Sequence, residues 1–170
     1  MKISSLYIFL SLLTFGACGQ TVYHFSKGLM INSASRYGRE ALYTDPLLYK
    51  LYTHQLKAPQ EKDSLQIGPR DQFAKWQPVT GDSVNRLRGR GGFGGGGGYI
   101  YLNYASDKDQ TALLNVKGNS AVIVNGELHA GDPYSLGWLY IPVQLKKGLN
   151  EFYVRGGNII ADLVFPEKPV

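Results

Sequence analysis

From Gln72 onward the chain sets short apolar runs between turn-forming pairs, at intervals that suit turns rather than crossover helices. Residues 99–104 (YIYLNY), 111–116 (TALLNV) and 121–124 (AVIV) are rich in aromatic and β-branched residues and read as strands. Asn125-Gly126 follows AVIV and supplies the positive φ values of a two-residue type I′ turn, so AVIV and ELHA (127–130) are predicted to pair antiparallel. Residues 139–145, 151–155 and 159–165 continue the series, parted by Lys147-Gly148-Leu149-Asn150 and Gly156-Gly157-Asn158. Residues 73–79 (FAKWQPV) read as a first strand, with Pro78 marking an edge or a bulge. The fold class predicted is mainly β, an antiparallel sandwich over residues 71–165. Strand period puts Tyr99 and Tyr101 on one face, and Leu102 and Tyr104 on the other.

Residues 20–70 have a different pattern, with little strand character, and read as an N-terminal arm. Thr44-Asp45-Pro46 is a helix start, a capping side chain followed by Pro at an early helical position. Leu47, Leu48, Leu51, Tyr52 and Leu56 recur at helical spacing, which predicts a helix over 46–56 whose leucines pack on the sandwich. Residues 1–19 read as an export signal: Lys2, then the apolar run LYIFLSLLTF, then small residues. Two processing routes fit. Ala17-Cys18-Gly19 before Gln20 suits a signal peptidase, while Phe15-Gly16-Ala17-Cys18 resembles a lipobox in which Cys18 is lipidated. Either way Cys18, the single cysteine, leaves the mature chain without a disulfide, a cysteine metal site or a thiol nucleophile. The expected location is outside the cytoplasm, with membrane attachment only through a lipid on Cys18.

The net charge is +5, Lys2 of the signal included, and is spread along the chain, so a polyanionic partner is not required. Tyrosine (12) and glycine (21) are abundant and methionine (2) is scarce, a balance that suits strands and wide loops. Residues 166–170 (PEKPV) have the composition of a linker leading to a further domain.

The block GNSAVIVNGELHAGDPYSLGWLYIPVQLKKGLNEFYVRGG resembles the galactose-binding-like jelly-roll sandwiches attached to many glycoside hydrolases. In those, one strand ends in an Asn-Gly hairpin and a later one in a Lys-Gly-x-Asn turn. Together with RYGREALYTDP and GGYIYLNY, it is also similar to the N-terminal, non-catalytic region of exported bacterial hydrolases of the prolyl-oligopeptidase-like class. The resemblance covers most of residues 30–165 and implies a jelly-roll fold and a hydrolase domain as neighbour. A catalytic domain of that class carries a Gly-x-Ser-x-Gly elbow, which this chain lacks, so no enzymatic activity of its own is expected. A piece of a serine hydrolase without its catalytic domain is an alternative reading.

The glycine-rich loop at 89–98 contains a G-x-G-x-x-G (Gly89, Gly91, Gly94), but a strand follows it instead of the helix a phosphate-binding turn needs. Arg86, Arg88, Arg90 and Phe93 have the composition of an RNA-binding box, but the tract is short and an export signal separates it from cellular RNA. No nucleic acid is expected as partner, and no cofactor. His24, His54 and His129 stand in different elements without the spacing of a metal site. No pair of carboxylates stands out for glycoside cleavage.

The binding chemistry left is aromatic. Trp76, Tyr99, Tyr101, Tyr104, Tyr134, Trp138 and Tyr140 gather in the β half, and flat rings are platforms for the C–H faces of sugars. SLGW is loop-like and leaves the Trp138 indole a candidate for exposure. In HAGDPY, His129, Asp132 and Tyr134 offer an imidazole, a carboxylate and a phenol for a sugar hydroxyl or a metal. The alternative makes Asp132-Pro133 a turn former and Tyr134 a plug in the mouth of the sandwich. Two roles follow for an accessory β module: docking on a hydrolase domain, or binding carbohydrate through Trp138, Tyr134, His129 and Asp132.

Overall fold

The structure, a computed structural model, describes residues 20–35, 45–68, 71–89 and 97–167. The expected export signal with Cys18, Thr44 of the helix start, the middle of the glycine tract with Arg90 and Phe93, and residues 168–170 of the tail lie outside that range.

Two antiparallel sheets face each other. The five-stranded sheet runs β1 (Thr21–His24), β13 (Asn158–Phe165), β8 (Gln110–Lys117) and β11 (Ile141–Leu145), with the short β6 (Leu87–Arg88) also paired to β13. The six-stranded sheet runs β10 (Glu127–Ala130), β9 (Ala121–Val124), β12 (Gly148–Arg155), β7 (Gly97–Ser106), β2 (Lys27–Ser35) and β5 (Gln77–Thr80). Alternate residues of both sheets, among them Ile100, Leu102, Leu114, Phe152 and Leu163, fill the space between them. The mainly β, antiparallel sandwich read from the sequence is the architecture found. Pro78 does sit on an edge strand, β5.

The N-terminal arm differs from expectation. Residues 21–35 supply β1 and β2, so the segment read as lying outside the sandwich contributes a strand to each sheet. Residues 73–79 divide into β4 (Phe73–Lys75) and β5, and β4 pairs with β3 (Ser64–Gln66) in a separate hairpin. Between β4 and β5, Trp76 is buried.

This hairpin and the helix α1 (Pro46–Tyr52) cover the outer face of the six-stranded sheet. Leu47, Leu65, Ile67 and Trp76 pack there on Tyr99, Tyr101, Ile123 and Tyr153. At about 1.5–3 kcal/mol for each large apolar side chain, that layer contributes as much as a typical domain's net stability of about 5–15 kcal/mol. It is therefore part of the fold. Asp45 caps α1, its Oδ1 accepting from the Leu48 amide at 3.1 Å. Its Oδ2 accepts from the Tyr99 hydroxyl at 2.7 Å and lies 3.5 Å from Arg155 Nε, which ties the helix start to β7 and β12.

The helix ends at Tyr52, short of the predicted 56. His54 adopts φ 55°, and the Gln55 amide donates back to the Lys50 carbonyl at 2.7 Å, a left-handed cap of the kind glycine usually makes. Burial raises the Tyr99, Tyr101 and Tyr153 phenols well above their ordinary range, and neighbouring carboxylates add to it: Asp45 for Tyr99, Glu151 for the other two. All three stay protonated at neutral pH and donate, to Asp45, to Glu151 and to the Lys57 carbonyl.

The two turn motifs of the sequence meet in space. Asn125 and Gly126 have φ 49° and 90°, as a type I′ turn requires, and AVIV pairs with ELHA in the predicted register. Asn150, 0% exposed, accepts from the Lys146 amide at 2.9 Å and donates to the carbonyls of Lys146 (2.8 Å) and Gly148 (3.1 Å). Asn125 Nδ2 donates to Asn150 Oδ1 at 2.8 Å, and Asn125 Oδ1 accepts from the Glu151 amide at 2.9 Å. One side-chain pair thus fixes the β9–β10 and β11–β12 turns together. Asn150→Ala removes the bonds to the Lys146 and Gly148 backbone and the partner of Asn125 Nδ2, and is expected to cost about 2–4 kcal/mol. Leu149→Ala, at the exposed neighbouring position, should stay within about 0.5 kcal/mol of the parent. Urea unfolding of the two variants checks the contrast; equal stabilities would contradict the structural role given to Asn150.

Candidate functional site

The loop between β10 and β11, residues 131–140, carries the largest exposed aromatic group of the sandwich. Trp138 is 81% exposed and Tyr134 83%, with Leu136 and Tyr140 also open to solvent. A loop with such side chains would ordinarily fold them inward. Here a set of buried polar groups holds it open.

Asp132 is 7% exposed, and its carboxylate accepts from the amides of Leu136 (Oδ1, 3.1 Å) and Gly137 (Oδ2, 2.6 Å). Its own amide donates to Asn119 Oδ1 at 3.1 Å, and its carbonyl accepts from Gly118 and Ser135. From β8, the buried Asn115 donates through Nδ2 to the carbonyls of Gly137 (3.0 Å) and Leu139 (2.9 Å). Both ends of the Gly137–Leu139 segment are thereby bound to the outer face of the five-stranded sheet, and Trp138 lies between them. Gly137 has φ 74°, a left-handed conformation that favours glycine.

The sequence candidates separate in this arrangement. Trp138 and Tyr134 share the loop, and Tyr134 projects into solvent rather than plugging the sandwich. Asp132 serves the turn, with both carboxylate oxygens engaged by the loop's own amides. His129 is on β10 in the other sheet, paired with Val122, and no hydrogen bond among the described residues joins it to the loop aromatics. Trp76, Tyr99 and Tyr101 are core residues and leave the candidate surface to Tyr134, Trp138 and Tyr140.

Residues that sequence reasoning missed adjoin the loop. A shallow groove of about 490 Å³ on the outer face of the five-stranded sheet is lined by Val22, His24, Leu113, Tyr140, Asp162 and Val164, with Asn115 at its loop end. His24 Nδ1 and Asp162 Oδ1 lie 2.7 Å apart on the neighbouring strands β1 and β13. A second depression, about 690 Å³, lies between α1 and the β9–β10 hairpin and is lined by Leu51, Tyr52, Leu56, Leu128 and Tyr153 among others. Among the described residues, no group of His, Cys, Asp and Glu is placed to hold a metal ion.

Asp132→Ala releases the Leu136 and Gly137 amides from charge-assisted bonds worth about 1.5–3 kcal/mol. Their hydrogen exchange should accelerate about tenfold or more, with Val122 and Val154 in the core strands unchanged. Unaltered exchange at Leu136 and Gly137 would contradict the pinning of the loop.

No protein-family model matches the chain, and no curated protein matches it. Among solved structures, the GH26-CBM35 β-(1,4)-mannanase of Podospora anserina is similar at 15% identity over 84% of this chain, with a TM-score of 0.32. The chain spans 28% of that protein's length. A likeness this distant assigns no ligand.

Proposed function

We propose that this chain is an exported, non-catalytic β-sandwich module that binds carbohydrate through the 131–140 loop. The observation that carries the reading is the exposed Trp138 indole on a segment fixed at both ends by Asn115. A sugar ring presents an apolar C–H face and a polar rim, and an indole beside hydrogen-bonding groups matches both. The fixed backbone lowers the ordering cost that a mobile loop would bring to binding. Tyr134 and Tyr140 add flat surface with few rotamers to freeze.

A second reading, docking on a protein domain such as that of a hydrolase, is favoured by the exposed Tyr49, Tyr52 and Leu128 around the α1 depression. It concerns the opposite outer face and is compatible with the first. The anchor expected at Cys18 belongs to the same proposal of an exported protein.

Electrophoresis in gels containing neutral plant and fungal polysaccharides tests the carbohydrate reading. The wild type should be retarded by at least one of them. Trp138→Ala should lose the retardation, corresponding to a drop in affinity of about tenfold or more, with an unchanged circular dichroism spectrum. Retardation equal in the two proteins, or in neither, would refute the role given to Trp138.

A further inference from the structure

The groove beside Tyr140 deepens this reading and rests on it. Its floor is apolar, with Val22, Leu113 and Val164 in one cross-strand row of β1, β8 and β13. The next row holds His24, Asp162 and Asn115. Tyr140 forms the wall on the loop side, two residues from Trp138. Asn115 belongs to the groove and to the loop at once: both of its amide hydrogens serve the loop carbonyls, which leaves Oδ1 as its remaining acceptor.

The polar groups differ in kind, and one of them, Asp162, is acidic. A carboxylate accepts only, so the proton in the His24–Asp162 contact belongs to His24 Nδ1. Asp162 Oδ2 has no partner among the described residues. The lining offers Asp162 Oδ2 and Asn115 Oδ1 as acceptors and the Gln20 amide and Tyr140 hydroxyl as groups that donate and accept, with Asp162 the one acidic group and no Lys or Arg in the groove. Such a surface pairs with sugar hydroxyls as donors and as acceptors, and its carboxylate repels anions. A volume of about 490 Å³ is in the range of small-ligand sites.

We infer that the groove is a second sugar subsite, continuous with Trp138 through Tyr140, and that it selects neutral glycan chains over uronate-bearing ones. A chain stacked on Trp138 runs past Tyr140 onto the apolar row, with its hydroxyls toward His24 and Asp162. Because the two subsites are joined, affinity rises with chain length.

Calorimetry with β-1,4-linked gluco-, manno- and xylo-oligosaccharides, dimer to hexamer, and with oligogalacturonates of the same lengths, tests this. In the wild type, at least one neutral hexamer should bind about tenfold or more tightly than its dimer, and than the galacturonate hexamer. Asp162→Asn should weaken the hexamer about tenfold and leave the dimer within about twofold, and Tyr140→Ala should weaken the hexamer more than the dimer. Asp162→Asn should also narrow the preference for neutral chains. In the unmutated protein, the His24 ring resonances should shift with the hexamer and stay in place with the dimer. If Trp138→Ala abolishes binding but both groove variants keep the wild-type length dependence, the second subsite is refuted and the carbohydrate reading stands. If none of these oligosaccharides binds the wild type, both fall.

Discussion

Asp132 and Asn115 decide what the 131–140 loop can present. Exposed aromatic and aliphatic side chains at Tyr134, Leu136 and Trp138 would gain by collapsing onto the protein. The loop's own amides and carbonyls are held against that collapse by a buried carboxylate from within the loop and a buried amide from β8. Each of these polar groups would be costly to bury alone, and each is satisfied by the geometry that keeps the aromatics outside. The exposed aromatic surface is in this sense a by-product of satisfying Asp132 and Asn115.

The two outer faces of the sandwich are treated differently. That of the six-stranded sheet is closed by α1 and the β3–β4 hairpin, with Asp45 joining helix cap, Tyr99 and Arg155. That of the five-stranded sheet is left open beside the loop, with a His24–Asp162 pair over an apolar row. A covered face supplies core; an open face leaves mixed apolar and polar chemistry at the surface. Tyrosine takes part in both, as donors in the first and as a groove wall in the second.

What the sequence made legible was local. Asn125-Gly126 announced its hairpin because a type I′ turn demands those residues, and the strands after residue 97 follow from their apolar runs. β1 was hidden because every one of its residues is exposed, so it shows no alternation. β2 was hidden because its partners, β7 and β5, stand far along the chain, and Gly28 sits in it where the backbone of Tyr101 approaches closely. The exposure of Trp138 could be read from SLGW. The means of holding it could not, because Asn115 precedes Leu139 by 24 residues. His24 and Asp162 are 138 residues apart, and strand pairing alone makes them neighbours. In the glycine tract, Gly98 is required where a Cβ would stand 2.7 Å from the Ile31 carbonyl, so at least that glycine answers to close strand packing rather than to phosphate or RNA.

The chain has two tryptophans, Trp76 buried under the hairpin and Trp138 exposed on the loop, and their indole N–H signals are separate reporters on opposite sides of the sandwich. An NMR titration of the full chain with neutral oligosaccharides reads both at once. The account predicts that the Trp138 indole signal moves on addition of sugar while that of Trp76 stays in place. A titration in which sugar moves the Trp76 signal alone, or moves neither, would contradict it.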